Sequence, residues 1–417
     1  MAFLYLSWYN SYYGYYFMIQ LRDHQLAILN TLQENRKGQV IVPTGGGKTI
    51  CMIEDAKYQF TKNSASKTIV VVAPRILLAK QLCSDFRKII NIHPDQVMHV
   101  HSGDLTGKSL YFCSTKANDV KMFVSLWEYK KQPRLIFTTY HSLHRIQEAE
   151  IDVDTIYFDE AHNSVQKNFV EATEYFSMYA NRCYFFTATP KHSKTPFKIG
   201  MNDYDIYGRV LVNVPAPKLV DEGVILPPKV TIKKIDVVDD SRFKHEHDCD
   251  HVVSTIDEID IDKVLICARS TKQIVNLVSQ SDFCIELRTR GYSWMYITAK
   301  TGAVVDGKKV DRECFFNTLN EWGKDDTKKF VVLHHSILSE GINVSGLEAA
   351  VFLRNMDYIT ISQTIGRVIR KGGENKTFGL ISVPVYDRVG ISTSRKVEAV
   401  VDTIFNQGQP AISVITK

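Results

Sequence analysis

The stretch Pro43-Thr44-Gly45-Gly46-Gly47-Lys48-Thr49 constrains this chain more than any other. It follows the apolar run Val40-Ile41-Val42 and precedes a helical pattern carrying Ile50, Ile53 and Phe60, so the local order is strand, loop, helix. Three consecutive glycines let the backbone curl without Cβ clashes and turn successive N–H groups toward an anion at a helix N-terminus. Lys48 can reach β- and γ-phosphates, and Thr49 can hold Mg²⁺. The strict phosphate-loop pattern has glycine where Val42 stands, so the match is to the shorter Pro-Thr-Gly-x-Gly-Lys-Thr form.

A chain of 417 residues exceeds one ordinary core and suits two domains. Its 44% hydrophobic and 23% charged residues are those of a globular protein, and no apolar run reaches membrane-spanning length. A net charge of +5 permits a nucleic-acid partner without demanding one. The eight cysteines stand singly with no Cys-x-x-Cys pair, which fits reduced thiols in the cytoplasm, that of a host cell if the chain is viral. Residues 1–20 form an aromatic-rich segment whose first seventeen residues carry no charge. It reads as translation from upstream of a true start near Met18, as an aromatic strand packed on the first domain, or as a base-stacking tail.

Along the chain, Leu21 to Gln25 opens a helix running to about Gln33, and Gln25 could offer its amide to an adenine edge. Four β-branched or aromatic runs follow the loop: Thr68–Ala73, Leu135–Tyr140, Thr155–Glu160 and Arg182–Pro190. Each ends in polar residues, and in open parallel sheets ligands bind at the carboxyl ends of strands. Asp159-Glu160-Ala161-His162 is the second strong signal: Asp159 can hold Mg²⁺ while Glu160 orients or deprotonates an attacking water. Prolines and glycines over 206–228 mark an extended crossing between domains of 21–205 and 229–417. The cluster His245 to His251 lacks the spaced pairs of a zinc site and reads as a solvated helix end or loop. Strand runs at Lys229–Val238, Lys263–Ala268, Met295–Thr298, Lys329–Ser336, Ala349–Leu353 and Thr377–Val383 imply a second, mostly parallel sheet without a phosphate loop.

Taken in order, Gln25, Pro43 to Thr49, Ala73-Pro74-Arg75, Thr138-Thr139-Tyr140, Asp159 to His162, Thr187-Ala188-Thr189, Glu340-Gly341-Ile342-Asn343 and Gln363-x-x-Gly366-Arg367-x-x-Arg370 resemble the motif set of superfamily 2 helicases and translocases. Within it the chain is most similar to the group of type I and III restriction translocases, phage UvsW helicases and XPB-like proteins. The resemblance implies an α/β fold of two RecA-like domains with ATP and Mg²⁺ in the cleft between them.

It also implies roles. Gln25, Thr44, Gly45, Gly46, Gly47, Lys48, Thr49, Gly341 and Asn343 would bind nucleotide, although Asn343 replaces the commoner aspartate. Lys48, Asp159, Glu160, Gln363, Arg367 and Arg370 would form the catalytic set, the two arginines reaching across from one helix face. His162, Thr187 and Thr189 would couple the nucleotide site to the nucleic-acid groove. Arg75, Gly103, Thr139, Arg269, Thr298 and Ser336 would meet phosphates without reading bases. The expected protein is a monomeric, ATP-dependent helicase or translocase, with DNA favoured over RNA. A duplex translocase without unwinding, an RNA helicase and a non-enzymatic ATP clamp are the alternatives.

Overall fold

The computed structural model describes residues 20–62, 67–103, 112–235, 243–259, 261–335, 346–353, 356–371, 376–386 and 391–415. The first domain contains β1 (Lys37–Ile41), β2 (Thr68–Ala73), β3 (Val97–Val100), β4 (Phe112–Cys113), β5 (Arg134–Thr139), β6 (Thr155–Phe158), β7 (Arg182–Thr187), β8 (Lys191–Ser193) and β9 (Val210–Asn213). All but β8 form one parallel sheet in the order β4-β3-β5-β2-β6-β7-β1-β9. Alternation along β2 shows why its run is continuously apolar. Ile69, Val71 and Ala73 join the core under the helices Lys48–Lys62 and Ile76–Ile89, while Val70 and Val72 join the core under Ala117–Tyr129 and Lys167–Tyr179. A strand covered on both faces has no polar side to show.

The second domain contains β10 (Pro228–Ile235), β11 (Lys263–Cys267), β12 (Ser293–Thr298), β13 (Gly302–Val305), β14 (Lys308–Val310), β15 (Phe330–His334), β16 (Ala349–Phe352) and β17 (Gly379–Tyr386). Its order is β10-β17-β16-β11-β15-β12-β13-β14. The sheet is parallel except for β13 and β14, which add an antiparallel hairpin at one edge. Two mostly parallel sheets flanked by helices are thus present, as the sequence led one to expect. Among the described residues no helix is long and apolar enough to cross a membrane.

Three stretches differ from their sequence reading. Residues 206–228 are no plain crossing, because β9 extends the first sheet beside β1 and the helix Ala216–Asp221 buries Ala216 and Leu219. Gly208 serves close packing: a Cβ there would lie 2.9 Å from the Cα of Gly38. A last strand, β18 (Ser413–Ile415), returns from the second domain to pair in parallel with β8 of the first. The His245 to His251 cluster lies in the helix Lys244–Ile259 and is not wholly solvated, since Asp248 and His251 are buried and Asp248 accepts from Gln273 Nε2 at 2.6 Å.

One buried polar group braces the helix after the glycine loop against the sheet. Asp55 takes two bonds from Arg182, at 3.0 and 2.9 Å, and one from the Tyr157 hydroxyl at 2.5 Å. Arg182 also donates to Leu32 O at 3.1 Å, so three layers meet at this point. Removing one partner strands the other charge. Asp55→Ala is expected to lower stability by about 3–5 kcal/mol, read as a fall in the urea midpoint of unfolding.

Candidate nucleotide site at the domain cleft

The glycine loop leaves the carboxyl end of β1 and enters the helix Lys48–Lys62, whose free N–H groups and dipole favour an anion. Gly45 and Gly47 have φ of +89° and +87°, a left-handed region costly for other residues. The loop is packed from behind. A Cβ on Gly46 would sit 2.6 Å from Val42 Cγ1, and one on Gly47 2.3 Å from Gln25 Nε2. Gln25 thus lies against the loop, and its Oε1 caps its own helix by accepting from Arg22 N at 3.0 Å. His24, which carried no signal of its own, is buried beside it; its Nε2 lies 2.9 Å from Gly46 O and its Nδ1 3.6 Å from Glu222. Lys48 Nζ donates to Val42 O at 3.3 Å.

Two strands away, β6 delivers the acidic pair. Tyr140 donates its hydroxyl to Asp159 O at 2.9 Å. Glu160 adopts φ 47° and ψ 52°, a left-handed conformation directly after the end of β6. Burial, then the neighbouring Glu160, pushes the Asp159 carboxyl up to about 7 against the pull of Lys48. Glu160 Oε2 is buried with no hydrogen bond and lies 3.6 Å from His162 Nδ1. Two crowded acids and an orphaned carboxylate oxygen make a donor set suited to a hard divalent cation.

His162 joins these parts. Its Nδ1 lies 3.0 Å from Thr187 Oγ1 and 3.2 Å from Thr189 Oγ1, both at the carboxyl end of β7. Its Nε2 lies 3.3 Å from the amide nitrogens of Asn163 and Gln363. Two amide donors at Nε2 place the ring proton on Nδ1. Gln363 belongs to the helix Tyr358–Val368 of the second domain, so the network crosses the cleft. The same helix brings Gly366 against the loop, where a Cβ would be 2.3 Å from Thr44 Cβ. Arg367 is buried in its last turn. Arg370 follows the helix and packs beside Gly45; burial lowers its guanidinium, and Glu160 opposes that shift.

The expected phosphate contacts divide. Arg75 and Arg269 are exposed beyond the carboxyl ends of β2 and β11. Gly103 is tightly packed, a Cβ there meeting Ile76 Cγ2 at 2.5 Å. Thr139 and Thr298 are both 3% exposed, and Thr298 caps a turn by accepting from Thr301 N at 3.0 Å. Ser336, Glu340, Gly341 and Asn343 lie outside the described residues.

The raised Asp159 value has a stability consequence. Folded protein holds this proton from near pH 4 up to about pH 7, where the unfolded chain has lost it, so ionising Asp159 costs stability as pH rises through that window. In metal-free buffer, Asp159→Asn is expected to raise the melting temperature at pH 8, with the gain vanishing toward pH 4.

Comparison with known proteins agrees with this geometry. Residues 18–192 match the family described as type III restriction enzyme, res subunit. A search of curated protein sequences returned no match. Among solved structures, the type ISP restriction-modification enzyme LlaBIII bound to DNA aligns over 95% of this chain with 18% identity and a TM-score of 0.72. A nuclease-deletion mutant of the related enzyme LlaGI with a DNA substrate mimic aligns over 94% with 19% identity and a TM-score of 0.67. This chain spans 31% and 30% of those two proteins. Dbp5 of S. cerevisiae, bound to Gle1 and IP6, aligns over 95% of this chain and 88% of its own, with 14% identity and a TM-score of 0.58. The family match thus lies in the first domain, and the two-sheet fold across both domains is shared with these solved structures.

Proposed function

We propose that this chain is a nucleic-acid-dependent ATPase that translocates on or remodels DNA. The observation that carries this reading is the buried His162 network, which ties the Thr187 to Thr189 segment and Gln363 of the other domain to the turn that follows the acidic pair. Such an arrangement makes nucleotide chemistry depend on how the domains sit. The loop amides and Lys48 cradle the phosphates, and Glu160 orients and deprotonates the attacking water. Thr49 and Asp159 would hold Mg²⁺, which when bound supplies positive charge beside the phosphates. Arg367 and Arg370 meet charge developing on the transferred group. Gln25 and His24 brace the loop from behind. DNA is preferred to RNA because the two structures with the highest TM-scores given above are DNA complexes.

The deciding measurement is ATP hydrolysis against single-stranded, duplex and branched DNA and RNA. Lys48→Ala is expected to abolish turnover. Glu160→Gln should keep ATP binding and slow hydrolysis by roughly 10²- to 10⁴-fold. His162→Ala should keep nucleotide binding and lose the stimulation by nucleic acid. Full turnover by the Lys48 or Glu160 variant, or stimulation by RNA alone, would overturn the corresponding part of the reading.

A further inference from the structure

The loop of the first domain that follows Thr189 is fastened on both sides. Its base is fastened by Met201 N donating to Lys191 O at 2.7 Å and Ser193 N donating to Asn202 Oδ1 at 2.7 Å. Asn202 Nδ2 returns a bond to Ser193 O at 2.9 Å. Within the turn, Thr195 N donates to Ser193 Oγ at 3.2 Å. Gly200 closes the loop, since a Cβ there would lie 2.2 Å from Ser193 N. From outside, β18 holds it through Ser413 N to Pro190 O and Lys194 N to Ile415 O, both 3.1 Å. Pro196 stiffens the tip further.

On this fastened tip Phe197 is 95% exposed, the highest value among the large apolar side chains of the described residues. Isolated apolar side chains on a surface are ordinary. A phenyl ring held out by a loop pinned on both sides is a different case, because neither the loop nor a neighbour shelters any of it. Lys194 and Lys198, both exposed, flank the ring. From Thr189 to Asn202 the chain has three lysines and no carboxylate. An aromatic face between cations suits a nucleic-acid strand, whose bases stack on rings of any identity while its phosphates seek positive charge. A protein partner would be better met by a broader apolar surface than one ring between two lysines.

We propose that Phe197 is a base-stacking contact for a single nucleic-acid strand, with Lys194 and Lys198 meeting the adjoining phosphates. This rests on the nucleic-acid-dependent reading above and adds to it a contact that the motif set does not include. The loop is joined through Pro190 to Thr189, whose hydroxyl lies 3.2 Å from His162.

The test is the affinity of the full chain for strands of about 12 nucleotides, namely oligothymidylate, oligouridylate and an abasic DNA strand of equal length, measured beside ATP hydrolysis without nucleic acid. Phe197→Ala is expected to weaken binding to a base-bearing strand by roughly 5- to 150-fold, the worth of one stacked base. Binding to the abasic strand and basal hydrolysis should not change. Phe197→Trp should bind as the parent does, and Phe197→Leu should not. Unchanged affinity of Phe197→Ala for both base-bearing strands would overturn the proposal and leave the ATPase reading standing, as would an equal loss on the abasic strand. A parent chain that binds no strand would overturn both.

Discussion

Everything at the cleft depends on one buried imidazole. His162 sits in the turn after β6, and its two nitrogens are shared among partners from that turn, the end of β7 and the helix Tyr358–Val368. An unpaired ring nitrogen in that interior would cost on the order of 1–3 kcal/mol, so the partners on both domains are held to a common geometry. Moving Gln363 away, as any opening of the cleft must, withdraws a donor from Nε2. The hydrogen bonds that fix the acidic turn therefore also report where the second domain lies.

Charge follows the same logic. Asp159 and Glu160 are adjacent acids in a poorly solvated place, opposed by Lys48 from one side and Arg370 from the other. Lys48 rests on the carbonyl of Val42 at 3.3 Å. Positive and negative groups held near one another are suited to a charged ligand that brings both a metal and phosphates. Packing supports this placement from behind, with His24 and Gln25 against the loop and Ile225 and Arg370 over Gly45.

Much of this was legible in the residues. Parallel strands covered on both faces need unbroken apolar runs, which is why Thr68–Ala73 and Lys263–Cys267 stand out without structural help. A glycine loop between strand and helix is similarly local. The stretch 206–228 was harder to read because proline and glycine signal a break in sequence but equally permit close backbone approach, as at Gly208 beside Gly38. His24 was invisible for another reason: its partners Gly46 and Glu222 are distant in sequence, and a histidine on a helix announces neither.

The sequence by itself determined the elements and their chemistry: which runs become buried strands, that the loop must curl, and that an acid pair ends β6. These follow from side-chain periodicity and backbone freedom, which act over a few residues. Only the tertiary structure decided which groups meet. It turned the Gln25 amide toward the loop, buried Thr139 and Thr298 and set Gly366 against Thr44. It also carried β18 back to β8, so that the chain's last described strand fastens a loop of its first domain. Contacts between residues hundreds of positions apart depend on how layers stack, and that is settled by packing of the whole molecule rather than by any local pattern.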